Sequence, residues 1–450
     1  TEKYDVVLMN PAYGPMPLKT KEYAAKHYPR TKNDYYAAFI KQTIDLAETN
    51  GFVGMLTSRT FMFLKSFLNL REAILWNEAT PELIIDTGFG VLDGATVETA
   101  ATILRKIKAI SKKIPVEEQV CVFCRLVMFD TYEKEKVFIT SFSGYLQNSR
   151  HELWYRATLG DLARVPGTAY AYWASPSLRV LFAKYPPLDR DVARRKNAPK
   201  IADVKVGLQT SDARRFIRES WEVNPLHMGR GKKWVPFPQG GNYLKWYATV
   251  DRVVNWENDG EEIRSYEKAY VRNDKYYFLP GLTWTTKPSP NQKYFACRYL
   301  QPDSIISLEG PGIFPIREQD RWKLLGLLCS ELVYFLISLY TAEHNWEPGH
   351  LASIPIHNRR LGKSGCGNWA KESYDLLTEW GTGNEVSPFF VKPWLLQAFE
   401  RFNPDWRPNT GHPHAEQFSW TNWDSVKKMR RIVGTKETSL KELADLVVRR

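Results

Sequence analysis

Along the first part of the chain, short apolar runs alternate with stretches of helical period. Residues 4–9, YDVVLM, form an apolar run that stops at Asn10-Pro11, which fits a buried parallel strand. From Asn33 to Glu48, apolar residues fall at Tyr36, Phe39, Ile40, Ile44 and Ala47. That spacing predicts a helix, with Asn33 as its N-cap and Asn50-Gly51 as its stop. FVGMLTS at 52–58 predicts a second buried strand, and a further helix is expected around 65–77. ELIIDTG at 82–88 predicts a third strand, and the β-branched stretch TVETAATILRK at 96–106 a fourth. Strands and helices in this order imply an α/β open sheet over residues 1–115.

The pattern then changes twice. Residues 116–190 read as a connector, with a buried strand at 120–129 and a helix-like segment at 173–185 before Pro186-Pro187. Residues 191–360 read as an α+β domain of short β-like runs and turns rich in Trp, Tyr, Gly and Lys. One long helix, over 320–340, interrupts them. Residues 361–450 read as helical and Trp-rich, closing in a basic stretch that resembles a helix pair. No internal repeat or low-complexity tract is visible.

Composition narrows the classes. The chain has 450 residues, with 62 Lys and Arg against 50 Asp and Glu, a formal net charge of +12. A surplus of this size favours a polyanionic partner, nucleic acid first, although a solvated basic surface would look the same. The five cysteines lie at 121, 124, 297, 329 and 366, without framework spacing, and imply reduced thiols and a cytoplasmic setting. Cys121 and Cys124 form one CxxC within an apolar strand pattern, which reads as core packing and not as a metal site. No apolar run is long enough to span a bilayer. The chain starts without Met, and a strand pattern begins within four residues, so it reads as opening inside a domain.

The sharpest chemical signal is Asn10-Pro11-Ala12-Tyr13, directly after a hydrophobic strand. The amino nitrogen of adenine is a poor nucleophile because its lone pair is delocalised into the ring. Two acceptors gripping its two hydrogens would favour a tetrahedral nitrogen. The Asn10 side-chain oxygen and the Pro11 carbonyl can supply them. Pro11 stiffens the loop, and Tyr13 offers a flat face for a base taken out of a duplex. Asn-Pro is also a common turn starter, but open α/β sheets bind ligands at the carboxyl ends of their strands.

YDVVLMNPAYG resembles the catalytic motif of adenine methyltransferases that use S-adenosyl-L-methionine, usually Asn or Asp, Pro, Pro, then an aromatic residue. The segment from KHYPRTKNDYYAAFIKQ to NLREAIL is similar to the stretch directly after this motif in the PglX family of BREX phage-defence systems. TVETAATILRK resembles the last sheet strand of that family. VKVGLQTSDARRFIR, KWVPFPQGGNYLKWY, VVNWENDGEEI, GLTWTTK and EHNWEPGHLASIPI resemble its target-recognition region. The match runs over most of residues 1–357.

The resemblance implies the back half of a Rossmann-like methyltransferase sheet, beginning at the Asn-Pro-Pro-Tyr-type motif, and after it a DNA-reading domain. It implies adenine N6-methylation by base flipping, with Asn10, Pro11 and Tyr13 catalytic. Asp34 and Tyr35 are candidate cofactor contacts, although an acid at a helix start also suits the helix dipole. Thr96 and Thr99 match a strand near the base pocket. The third motif position is Ala12 and not Pro, and the glycine-rich cofactor loop lies upstream of the motif in the family. Double-stranded DNA is the expected partner, with defence-system proteins beside it. A non-catalytic DNA-binding specificity component and part of a restriction-modification fusion are the alternatives.

Within 191–360, basic residues interleave with aromatic ones, from Arg214, Arg215 and Arg218 through Arg230, Lys232 and Lys233 to Arg298. Arg214, Arg215, Lys232 and Lys233, in turns near glycine, are the candidate DNA contacts. Most of the Trp residues are expected in the core.

Overall fold

The computed structural model describes residues 2–14, 16–32, 34–92, 97–107, 115–148, 151–240, 244–287, 294–341, 345–357, 365–383, 390–393 and 397. Asn33, Thr96 and the basic C-terminal stretch therefore lie outside the described residues. The chain divides into two compact units, Thr1–Glu372 and Ser373–Arg450. Of the second, the described part is mainly the end of the helix Cys366–Gly381.

The first unit is built on a six-stranded sheet. Its strands are β1 (Tyr4–Met9), β2 (Ala47–Ser58), β3 (Ala79–Gly88), β4 (Thr99–Lys106), β5 (Val120–Arg125) and β6 (Trp154–Thr158), in the spatial order β1-β2-β4-β3-β5-β6. β1–β2 and β3–β5 pair in parallel, whereas β4 runs antiparallel to both its neighbours. This is the α/β sheet expected from the sequence, two parallel pairs with the reversed strand β4 between them. The sheet also takes in β5 and β6, which lie in the segment that the sequence reads as a connector.

Helix α1 spans Leu18–His27 and α2 spans Tyr35–Leu46. The buried side of α2, with Tyr36, Ala37, Ile40 and Ile44, packs into the main core with Val53, Phe61 and Leu104. The observed N-cap is Asp34, whose side chain accepts from the Tyr36 amide. Residues Ala47 and Glu48, read as the end of this helix, belong instead to β2. Its early part is irregular, and Asn50 has φ 68°. A Cβ on Gly51 would meet the Asp5 carbonyl oxygen at 2.8 Å, so glycine is required for the close approach to β1. On the opposite face of the sheet, α3 (Thr131–Asn148) covers β3 and β5 through Phe138 and Tyr145, packed with Cys124 and Trp154. Cys121 and Cys124 are buried in β5, where burial pushes the Cys124 thiol up to about 12.

Two expected helices are broken. Residues 65–77 form a tight turn, Lys65–Phe67, and a wide one, Leu70–Ile74. The buried Arg71 side chain explains the departure: it donates to the carbonyls of Phe61, Leu64 (2.9 Å) and Gly167 (2.6 Å), tying the segment to distant backbone. The helix expected over 320–340 is two, Arg321–Leu328 and Glu331–Ser338, the second restarted by Ser330, whose hydroxyl accepts from the Val333 amide.

The remainder of the first unit carries two small sheets. One has β8 (Ile217–Glu219), β9 (Trp234–Pro236) and β10 (Arg252–Asn255) in the order β8-β10-β9. The other has β7 (Ala202–Lys205), β11 (Gly281–Trp284), β12 (Cys297–Leu300) and β13 (Gly312–Pro315) in the order β12-β11-β13-β7. Trp256, Trp284 and Trp346 are core residues, as expected of most tryptophans here. Leu336, Leu339 and Tyr340 join the core of the large sheet, so the segment that carries the two small sheets is fastened to it by shared packing.

His350 contributes a pH-sensitive contact to this junction. Its ring Nδ1 lies 3.2 Å from both the Glu347 amide and the Asn345 carbonyl, and Tyr340 donates to its backbone oxygen. Burial, aided by Lys65, lowers its pKa to about 4. The folded state therefore binds this proton less readily than the unfolded chain. Its contribution is complete above the unfolded value of about 6.5 and is lost as pH falls toward 4. Chemical unfolding at successive pH values should show a loss of about 2 kcal/mol across that window. A His350→Asn variant should show a flatter profile, and an unchanged one would rule out this origin.

Candidate active site

The motif Asn10-Pro11-Ala12-Tyr13 sits at the carboxyl end of β1, beside the carboxyl end of its parallel neighbour β2. Asn10 is exposed, Pro11 buried and Tyr13 half-buried. The Tyr13 hydroxyl lies 3.0 Å from the Leu56 carbonyl and 3.1 Å from the Asn10 Oδ1, so its proton is directed between these two acceptors. Burial raises the Tyr13 pKa, which keeps the phenol a donor. The Asn10 oxygen has a second lone pair, and among the described residues no hydrogen bond occupies the Pro11 carbonyl.

Behind this corner the loop is pinned to α2. Asp34 accepts from the amides of Gly14 and Tyr36, each at 3.3 Å. Burial raises its pKa, although those backbone amides favour the charged form. Tyr36, fully buried, packs at 6.3 Å from the Tyr13 ring and shares a hydrogen bond with Thr60, which in turn meets Ser58. Tyr35 is half-buried at the first position of the helix. The structure thus brings Asn10, Pro11, Tyr13 and Asp34 into one corner.

A buried charged network lies along the same sheet edge and was not foreseen from the sequence. Arg59, directly after β2, is paired with Asp86 through Nε–Oδ1 (2.7 Å) and Nη2–Oδ2 (2.8 Å), and with Glu98 at 3.1 Å. The Nε–Oδ1 contact is an ion pair lying off the hydrogen-bond line. Tyr172 donates to the Asp86 Oδ2 at 2.7 Å, and Asp86 is 0% exposed. Burial opposes the charge on Arg59, but Asp86 and Glu98 outweigh it and raise its pKa. Thr99 is also buried, hydrogen-bonded through its hydroxyl to Thr87 and Gly88 within the sheet. Among the described residues, no group of three or more His, Cys, Asp or Glu is placed to hold a metal ion.

Comparisons with known proteins find similarity to methylases. The family profile Eco57I restriction-modification methylase matches residues 1–91. The adenine-specific methyltransferase PglX of Lacticaseibacillus casei (strain Zhang) is 26% identical over 377 residues, covering 79% of this chain. The adenine-specific methyltransferase BrxX of Escherichia coli O9:H4 (strain HS) is 27% identical over 370 residues, again covering 79%. The chain is thus similar, at about a quarter identity, to two adenine-specific methyltransferases. It spans 30% and 28% of the length of these two relatives. Among solved structures, the Type IIL restriction-modification enzyme MmeI in complex with DNA aligns over 95% of this chain and 57% of its own, with 12% identity and a TM-score of 0.49. The nuclease-deletion mutant of the Type ISP enzyme LlaGI with a DNA substrate mimic aligns over 82% of this chain and 35% of its own, with 12% identity and a TM-score of 0.47.

The four cations singled out in the sequence as candidate DNA contacts are all exposed. Two are engaged within the protein: Arg215 pairs with Glu262 and Lys233 with Glu257, each at 2.8 Å. Arg214 and Lys232 have no acidic partner among the described residues. Arg298, one of the basic residues noted in the sequence, is 5% exposed and is a core group, not a surface cation. Among the described residues, no helix is long and apolar enough to cross a membrane.

Proposed function

We propose that this chain carries the amine-gripping corner and the DNA-reading part of a site-specific DNA adenine N6-methyltransferase that uses S-adenosyl-L-methionine. The observation that carries the reading is the adjacency, at the tip of β1, of Asn10, whose Oδ1 accepts from the Tyr13 hydroxyl, and Pro11, whose carbonyl has no hydrogen bond among the described residues. An extruded adenine would direct its two amino hydrogens at these oxygens. Tyr13 has two tasks. Its hydroxyl orients Asn10, and its ring would offer a flat face for a flipped base.

On the cofactor side, Asp34 is a half-buried carboxylate at a helix start with capacity to accept further hydrogen bonds, and Tyr35 stands beside it. These residues suit a hydroxyl or ammonium group of the cofactor and would hold part of it. When bound, S-adenosyl-L-methionine supplies the electrophilic methyl group. Arg214 and Lys232 are the proposed phosphate contacts, with Arg215 and Lys233 joining if DNA displaces their carboxylates.

The corresponding role is marking host DNA as self in a BREX-type phage defence, with double-stranded DNA and defence-system proteins as partners in the cytoplasm. The test is long-read sequencing of DNA incubated with the full-length protein and cofactor. N6-methyladenine at one recurring sequence is expected. Tight DNA binding without any methyladenine would replace this reading with a non-catalytic specificity component, to which Ala12 in the motif also points.

A further inference from the structure

The two small sheets enclose a cavity of about 240 Å³ that none of residues 10–13 lines. Its floor includes Thr283 on β11 and Arg298 on β12. The two are directly opposite in that antiparallel pair, so their side chains leave the sheet on the same side. Both are almost fully buried, 3% and 5% exposed. Arg298 donates to the Gly240 carbonyl at 2.8 Å and to the Thr285 hydroxyl at 2.7 Å. The Thr283 hydroxyl has no hydrogen-bond partner among the described residues. A buried hydroxyl left unpaired opposes folding, and a ligand would supply the missing partner.

The walls define the ligand. The space is below the roughly 300–1,000 Å³ of a drug-sized pocket, so it suits a single small ring system. Trp221, 67% exposed, brings an indole face to the cavity lining. Gln239 and Asp251, also in the lining, carry further acceptor oxygens, one of which already accepts from Arg252. Charge is balanced, Glu219 and Asp251 against Arg252 and Arg298, which disfavours a phosphate and favours a neutral ring with mixed donors and acceptors.

We propose that this cavity binds one nucleobase, separate from the adenine proposed for the catalytic corner. The base comes either from a DNA strand, extruded outside the methylation site, or from a free nucleoside. Calorimetry of the full-length protein with each of the four free nucleosides, in the absence of methyl donor, tests one source. Affinity for a duplex carrying a single unpaired base, compared with the fully paired duplex, tests the other. Binding to a nucleoside alone assigns a metabolite site, and a preference for the unpaired base assigns an extruded one.

In either case Thr283→Val and Trp221→Ala should each weaken binding by about tenfold. Thr283→Val should at the same time leave the unfolding midpoint of the free protein unchanged or raised, because it removes an unpaired hydroxyl. No heat with any nucleoside together with equal affinity for both duplexes would overturn the proposal. So would binding that both variants leave intact. Neither outcome depends on methylation, so the catalytic reading stands or falls separately.

Discussion

An Asp86→Ala variant is expected to unfold with about 3–5 kcal/mol less free energy than the parent protein. Asp86 is fully enclosed and is the shared partner of Arg59 and Tyr172. Its removal strands a guanidinium that is only 14% exposed, with Glu98 alone to balance it. It also leaves the hydroxyl of Tyr172, whose buried ring stacks on Phe123 at 4.4 Å, without its acceptor. Breaking a buried pair from one side costs far more than the pair itself contributes, because the surviving charge cannot regain its hydration. Denaturant unfolding of the parent, Asp86→Asn and Asp86→Ala should rank them in that order of increasing loss, with Asp86→Asn intermediate because its amide oxygen still accepts from Tyr172. A loss below about 1 kcal/mol for Asp86→Ala, the size of an exposed pair, would mean that water reaches the network and that the enclosure described here is wrong.

The second large effect is kinetic. Asn10→Ala in the full-length protein should slow methyl transfer by about 100- to 1,000-fold, the usual consequence of removing one fixed dipole from a site of developing charge. Asn10 is exposed, and its side chain is held by the bond from Tyr13, so stability should move by no more than about 0.5 kcal/mol. DNA affinity should be unchanged. Single-turnover transfer of labelled methyl groups, measured beside DNA binding, separates these quantities. Asn10→Asp keeps an acceptor and should retain more activity than the alanine variant. Equal rates for parent and Asn10→Ala would remove Asn10 from the chemistry.

Much of this was legible in the amino-acid order because the signals were local. YDVVLM before Asn10-Pro11 reports a strand and its end, and the i, i+4 spacing of Tyr36, Ile40 and Ile44 reports the face of α2. The spans that misled are those in which distant groups decide. Residues 65–77 have a helical rhythm, but Arg71 reaches carbonyls at Phe61 and Gly167 and pulls the backbone out of regular form. The network of Arg59, Asp86 and Tyr172 joins three positions far apart in the chain, each ordinary in its local setting. Arg298 looks like a surface cation among other basic residues until its strand is placed inside the domain. The CxxC at Cys121 reads correctly as strand interior because its apolar neighbours outweigh the spacing.

The outer strand of the large sheet has a practical consequence. Tyr4, Val6 and Leu8 are 49%, 56% and 78% exposed along one side of β1, which among the described residues is hydrogen-bonded only to β2. Oily side chains beside a row of vacant backbone donors and acceptors are sticky, and proteins seldom leave such a rim bare. At rising concentration the polypeptide should pair rim to rim and come out of solution, and a charged residue in place of Leu8 should keep it dispersed.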